Sequence, residues 1–348
     1  MAILMADGFD FYANTTDFTY VGSPWASPAN ALSATTPYGT GQSADISNML
    51  STPMISNQFA TNEATIYLTF DVYPQSPFTG TNVQGFCATL SDVANNQVTL
   101  HWAQDGNFYV RSGAYNGTII AGPWAHGMAP TSWCNWQAQV VINNTTGSVV
   151  LRKNNNPSND ISFTGLNTRG GSTNNYANKV TIGYVGYGSY IDNIFCNSAS
   201  GAAPTSWPGQ VRAVQLMPNA DTATKAMTPS TGTANYSMVN ELIENGDTNY
   251  VFGSVAGNVD LYSITPLATV PAAIVAVATK NLMRKSDTGA RTATTEIKSG
   301  SLVQDQATIN LATTYQWQTV YFPTDPNTGA AWTFAGVNAL LVGPKVVA

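Results

Sequence analysis

The sequence offers little to acid–base or nucleophilic chemistry, and what it offers is scattered. Glycoside cleavage on a β-sandwich needs two carboxyl groups about 5–10 Å apart, one protonated and one ionised. A strand would present them as acids at alternate positions, yet no E-x-D or D-x-E spacing occurs, and Glu63 is the single glutamate before residue 200. The aspartates of that half include Asp10, Asp71, Asp92, Asp105 and Asp192. Asp105 and Asp192 stand beside Gly or Asn, and hydrogen bonding to turn backbone is the role expected of these aspartates. A hydrolytic triad or a zinc centre needs histidine. There are two, His101 in VTLHW and His126 in GPWAHG, neither with a second ligand at metal spacing, so both are read as structural. Cys87, Cys134 and Cys196 show no C-x-x-C spacing and are expected to be buried free thiols. The cluster GYVGYGS over 183–189 has the wrong spacing for a nucleotide loop and leads to a strand, so its glycines are read as room in a tight loop. No catalytic residue, metal ligand or cofactor is expected, and the chain is read as a non-enzyme.

Binding chemistry is better represented. Tyr and Trp can stack on sugar rings while their polar atoms meet hydroxyls. Tyr109, Tyr115, Trp124, Trp133 and Trp136 fall in one loop-rich stretch with amide neighbours. Trp136 opens an alternating strand and reads as core, with Trp133 beside it, which leaves Tyr109, Tyr115 and Trp124 as the candidate glycan contacts. The densest basic group is Lys280, Arg284, Lys285 and Arg291, read as the solvated flanks of a hairpin turn at Ser286–Gly289. With 13 basic against 19 acidic residues and a net charge of −6, the chain has no footprint for gripping phosphate backbones, and nucleic acid is not an expected partner.

These residues need a scaffold, and the pattern supplies strands. In 64–72, Ile66, Leu68, Phe70 and Val72 alternate with Thr65, Tyr67, Thr69 and Asp71, the period of a half-buried strand. Similar runs occur at 97–102, 107–111, 136–142, 149–152, 179–184 and 190–196, punctuated by turns such as Asp105-Gly106 and Asn116-Gly117. Further strands are expected at 210–216, 249–252, 259–264, 272–279, 291–298, 307–310, 316–322 and 339–342, with one short helix near Met238–Glu244. Periodicity leaves the apolar run 272–280 open between a central strand and a buried helix turn. The segment 197–208, NSASGAAPTSWP, interrupts the pattern with small residues and two prolines. The expected organisation is all-β, with two jelly-roll-like β-sandwiches at 1–199 and 209–348 joined by a Pro/Ser/Gly linker at 200–208. Only 9% of residues are charged while 43% are hydrophobic, so Thr, Ser, Asn, Gln and Gly must fill the solvent-facing positions. No run approaches the roughly 18 apolar residues of a membrane span. The opening MAILMADGFDFY lacks the basic and long apolar regions of a secretory signal, and synthesis in the cytoplasm is expected.

The stretch WCNWQAQVVINNTTGSVVLRKNNN resembles the concanavalin A-like (laminin G-like) jelly roll, in which a Trp-led strand, a Gly turn, a second strand and an Asn-rich turn follow in this order. ADGFDFY and YIDNIF look like that fold's N- and C-terminal strands, which pair in the family. From YIDNIF onward, the ordered motifs PNADT, MTPSTG, DTNYV, DLYSI, RKSDTGAR and DPNTGAAWTFAGVNALLVG resemble a class of tailed-phage and prophage structural proteins. Met227 departs from that class, where a Trp is common before Thr-Pro, and acidic residues are sparse around Glu241–Asp247. The resemblance implies a virion protein made in the host cytoplasm: a capsid decoration, head-fibre or tail accessory component. Its partners would be other virion proteins and further copies of itself, with a trimer as the expected assembly. The other function carried forward is a receptor-binding adhesin that recognises host glycans.

Overall fold

In the computed structural model, all residues are described except 1–2, 48, 50–52, 187 and 203. The chain divides into two compact units. Unit 1 comprises Met1–Asp10, Asn14–Thr19 and Pro24–Ala213, and unit 2 comprises Phe11–Ala13, Tyr20–Ser23 and Val214–Ala348. The segment 200–208, expected as a linker, therefore belongs to unit 1, and two short N-terminal segments belong to unit 2. Among the described residues no helix is long and apolar enough to cross a membrane.

Among the described residues unit 1 contains fourteen strands: β1 (Ile3–Asp7), β2 (Ala31–Ser33), β3 (Ser43–Asp45), β4 (Met54–Ile55), β5 (Thr65–Pro74), β6 (Gly85–Ser91), β7 (Asn96–Ala103), β8 (Asn107–Ser112), β9 (Ile119–Ala125), β10 (Cys134–Val141), β11 (Gly147–Lys153), β12 (Ile161–Leu166), β13 (Lys179–Val185) and β14 (Ser189–Ser198). An eight-stranded sheet runs β12-β11-β10-β5-β14-β3-β2 with β1 also on β14, and a six-stranded sheet runs β4-β13-β6-β7-β8-β9. Every pairing in both is antiparallel. The N- and C-terminal strands of the unit pair, with Ala6 opposite Phe195, as ADGFDFY and YIDNIF suggested.

The two sheets close face to face as a β-sandwich. Alternation in β5 sends Ile66, Leu68, Phe70 and Val72 inward, where all are buried. Phe70 meets Phe86 at 5.0 Å and Trp102 at 5.6 Å, and Trp102 meets Trp136 at 5.4 Å, so an aromatic ladder bridges the sheets. Edge-to-face and tilted rings of this kind add to the burial of their large apolar area. All three cysteines are free and buried, as expected.

Unit 2 contains β15 (Pro218–Lys225), β16 (Thr228–Pro229), β17 (Val251–Phe252), β18 (Asp260–Ile264), β19 (Val277–Met283), β20 (Thr292–Ser299), β21 (Leu302–Asp305), β22 (Ile309–Asn310), β23 (Gln316–Phe322), α1 (Phe334–Asn338) and β24 (Leu341–Val346). A six-stranded sheet runs β15-β18-β24-β20-β21 with β22 also on β20, while β19 and β23 form a two-stranded ribbon. Ile264 and Ile297 from the sheet and Phe322 from the ribbon share a small core with Trp332, Val337 and Leu340. This is an asymmetric sandwich, and the whole chain is all-β.

Several expectations for this region change. Residues 210–216 form no strand: Gln210 and the Ala213 amide bond to Asp71 and Asn193 of unit 1, while Gln215 bonds the Leu242 carbonyl of unit 2. The helix expected near Met238–Glu244 is a single 3-10 turn at Tyr236–Met238. Within the apolar run 272–280, the strand starts only at Val277. Ser286–Gly289 is not a hairpin turn, since β19 pairs with β23 and β20 with β24. The basic group is partnered rather than merely solvated. Arg284 forks onto Asp247 at 2.8 Å, Arg291 meets Asp287 at 2.7 Å, and the Lys280 ammonium lies 4.0 Å from the centres of the Phe11 and Tyr12 rings.

One buried carboxylate organises the end of the unit 2 sheet. Asp260 accepts four hydrogen bonds, from the Ala226 and Met227 amides at 2.7 and 2.8 Å, Asn235 Nδ2 at 2.6 Å and the Tyr262 hydroxyl at 2.7 Å. Replacing it leaves buried donors without acceptors, at about 1–3 kcal/mol for each that water cannot reach. Asp260→Ala is expected to lower stability by about 3 kcal/mol or more, read as a lower midpoint in urea unfolding, whereas Asp305→Ala at the exposed edge should change it by under about 1 kcal/mol.

Candidate functional site

The largest concentration of polar chemistry lies on the outer face of the eight-stranded sheet, where alternation predicts solvent. The register sets Asp71 of β5 directly opposite Asp192 of β14. Both are buried, at 1% and 5% exposure. Directly opposed residues on neighbouring strands hold their Cβ atoms about 4.5–5.5 Å apart, so two acids that lie far apart in sequence form a close pair. Sequence reasoning missed it by reading these aspartates as turn residues. Asp92 and Asp105 do behave that way, accepting from the Asn95 and Asn107 amides. The usable signal was that TFDV and YIDN place an acid in mid-strand, Asp71 between Phe70 and Val72 and Asp192 after Ile191.

A bulge aims the surrounding groups. Between Asp192 and Phe195 the register of β14 shifts, and Asn193 takes a φ of 50°. Bulges turn side chains away from simple alternation, and Asn tolerates the left-handed region better than most residues. Asn193 uses three groups here. Its amide N–H donates to Asp192 Oδ1 at 2.6 Å, its Nδ2 donates to Asp71 Oδ2 at 2.9 Å, and its Oδ1 accepts from the Ala213 amide at 2.9 Å. Asn135 Nδ2 reaches Asp71 Oδ1 at 3.0 Å. Nearby, Asp10 accepts the Gln42 amide at 2.8 Å beside Gly41 (φ 84°), where a Cβ would lie 2.0 Å from Asp10 Oδ1.

The expected linker roofs this face. Asn197 Nδ2 holds the Pro204 and Ser206 carbonyls at 3.0 Å each. Trp207 packs edge-on to Tyr67 at 5.5 Å, with the Arg152 guanidinium 4.1 Å from its centre. Gln210 Nε2 lies 3.4 Å from both Asp71 Oδ1 and the Tyr38 hydroxyl, and the Arg212 guanidinium sits 4.4 Å over the Tyr38 ring. Gly8 lets the strap close down, since a Cβ there would stand 2.4 Å from Ala213 Cβ.

Burial dominates the electrostatics. Withdrawal from water pushes the Asp192 carboxyl up to about 8, with Asp10, Asp71 and Asp7 adding repulsion and the Asn193 amide opposing it. Asp10 rises to about 6 for the same first reason, and Asp71 is raised against the pull of Asn135, Asn193 and Gln210. At neutral pH Asp192 therefore carries its proton, beside an Asp71 carboxyl that accepts from the Asn135, Asn193 and Gln210 side chains. Among the described residues no group of three or more His, Cys, Asp or Glu is placed to hold a metal ion.

The three candidate glycan contacts do not converge. Tyr109, on β8, is buried, donates its hydroxyl to Asp105 Oδ2 at 2.7 Å and lies opposite His101. Trp124, on β9, lies opposite Phe108 and edge-on to Trp136 at 6.3 Å, so it belongs to the inward side of the same sheet. Tyr115 is half-buried in the β8–β9 loop. The outer face of this sheet is closed too. Arg111 Nε donates to His101 Nδ1 at 2.9 Å and Nη1 to the Gly117 carbonyl at 3.0 Å, while Thr99 bonds the Gly113 carbonyl at 2.7 Å. Burial, reinforced by Arg111, holds His101 down to about 4, and burial does the same for His126. His126 bonds the Ala103 carbonyl and the Met128 amide, so both histidines fill structural roles.

No protein-family model and no curated protein matches the chain. Solved structures similar to it include a galectin, LEC-6, from Caenorhabditis elegans (12% identity, 44% of this chain and 96% of that one, TM-score 0.30). Others are the catalytic domain of a family 131 glycoside hydrolase from Coprinopsis cinerea (12%, 57% and 95%, 0.37) and the lectin UEA-II in complex with galactose (10%, 56% and 98%, 0.33). At this distance the matches transfer neither a family nor an activity, and the chain's class, an all-β sandwich protein, rests on its own topology.

The acid pair has a measurable pH signature. Because Asp192 keeps its proton to about 8 in the fold but releases it near the ordinary carboxylate value when unfolded, the native state binds more protons across that window. Stability from this group therefore falls as pH rises from about 4 to 8. Asp192→Asn should abolish the fall. Its melting temperature relative to the unaltered protein should climb across this range and level off above it; a difference that stays flat with pH would refute the assignment.

Proposed function

We propose that the chain is a non-catalytic structural protein of the bacteriophage particle surface, a capsid decoration, head-fibre or tail accessory component. The observation that carries the non-catalytic part of this reading is the closure of both outer faces of unit 1. A sugar chain laid across either sheet needs an open face. Here the Asp71–Asp192 pair lies under the 204–213 strap, and the Arg111–His101 network lies under the loops that follow β8 and precede β6. Acids poised near neutrality are functional-site candidates in general, but these are satisfied by amides of their own chain.

The assembly part draws on unit 2. Its core is small, yet it exposes large apolar side chains such as Leu242 (65%) and Val270 (73%), as a surface buried by neighbours would. Symmetric multivalency lets modest contacts of this kind hold a protein on a particle. The phage setting itself comes from the ordered motifs after Tyr190. Labelled antibody raised to the purified chain should decorate intact particles, and cryo-EM of those particles should show density of this shape. Particles that lack it overturn the reading, as does release of reducing ends from host polysaccharide by the purified chain if Asp71→Asn abolishes that release.

The adhesin reading retains one specific observation, that Tyr115 and Trp124 are both partly exposed around β9, the edge strand of its sheet. Under it, binding to a glycan array should drop at least tenfold in Tyr115→Ala/Trp124→Ala while Tyr109→Phe binds normally, since Tyr109 is occupied with Asp105. Array silence from a multimeric preparation leaves the structural role alone.

A further inference from the structure

The six-stranded sheet of unit 2 ends in two edges that are treated differently. β15 carries the usual protections of an edge strand. It starts at a proline, its register against β18 shifts twice, and Lys225 is tied back to Asp221 at 2.6 Å. Asp221 in turn receives the Asn235 and Tyr236 amides at 3.0 and 2.7 Å, which brings the 3-10 turn onto the strand.

β21 has none of these devices. Its register with β20 runs unbroken from Glu296–Asp305 to Ser299–Leu302, it holds no proline or lysine, and all four residues are exposed, Val303 at 51%. Its single charge is already met, because Lys345 Nζ lies 2.8 Å from Asp305 Oδ2. Unpaired backbone groups flanked by exposed Leu302 and Val303 make a template for another strand.

We infer that β21 pairs edge to edge with β21 of a second copy of this chain, about a two-fold axis that passes between the two Val303 residues. Two features select this occupant. Every neighbour along the path β15-β18-β24-β20-β21 is antiparallel, so β15 and β21 point the same way. Joining β21 head-to-tail to β15 of another copy would thus create a parallel pair on a bulged strand, whereas the two-fold continues the antiparallel ladder. The same axis sets Val303 opposite its own equivalent, Leu302 opposite Gln304 and Ser301 opposite Asp305, so no acid faces an acid across the seam. The inference concerns copies of the purified chain and stands independently of the particle reading.

Sedimentation equilibrium of the full chain at micromolar concentration should give the mass of a dimer. Val303→Lys, which sets two like charges opposite each other on the axis of a strand exposed on both faces, should give a monomer whose melting temperature does not rise with protein concentration. Register is tested by cysteines, because Cys87, Cys134 and Cys196 are buried. Val303→Cys alone should form a disulfide-linked pair under mild oxidation, while Gln304→Cys should link to Leu302→Cys and not to itself, since residue 303 faces its own equivalent and residue 304 faces residue 302 of the other copy. A monomeric or trimeric wild type, a Val303→Lys mass equal to wild type, or equal linking by the single variants would overturn the proposal.

Discussion

Unit 1 depends on three hydrogen-bonding groups of one residue, Asn193. A strand carrying Asp192 opposite Asp71 would by simple alternation point two acids at water from a flat face. The bulge at Asn193 changes that: its amide and side chain bind one carboxylate each, and its remaining oxygen takes the backbone of the strap. Acids, bulge and roof are therefore one arrangement. The acids require donors once they are buried, the bulge supplies them, and the roof is what buries the acids.

The same logic explains how so lightly charged a chain builds large sheets. A sheet that faces water on one side ordinarily covers it with charged residues, and here only 9% of the residues are charged. Both outer faces of unit 1 carry instead Thr, Asn, Gln and His, which are satisfied by carbonyls and amides of overlying chain. Thr99 and Arg111 hold the β8–β9 loop, and Asn135, Asn193 and Asn197 hold the strap or the acids beneath it. Such contacts are individually modest, about 0.5–1.5 kcal/mol each. Their cost when broken is larger, because a buried donor then has no partner, and that asymmetry favours a closed face over an open one.

This arrangement shows where the sequence could be read and where it could not. The inward half of every strong alternation was legible, since period-2 burial of Ile66, Leu68, Phe70 and Val72 is a local property. The strand 316–322 coincides with β23 for the same reason. The outward half was not. Whether Asp71 meets water or Asp192 depends on a strand more than a hundred residues away, and whether Val211 and Val214 alternate in a strand or lie in a strap depends on what Gln210 and Ala213 can reach. Tyr109 was misplaced similarly: its type suits sugar stacking, but Asp105 four residues earlier takes its hydroxyl. β15 escaped notice because PNADTATK reads as turn, and its irregular register with β18 leaves little alternation to detect.

The two units solve burial by different means. Unit 1 encloses an aromatic ladder between two sheets and then closes the sheets' backs, so little about it requires a neighbour. Unit 2 sets its six-stranded sheet beside smaller elements, the β19–β23 ribbon, the β16–β17 pair and the short helix α1. Its apolar excess is left on the outside, at Leu242, Phe252, Val255, Val270 and the β21 edge. Association that covers such surface stabilises the folded state by mass action. Pairing of two copies along β21, as inferred above, would make the stability of unit 2 depend on protein concentration.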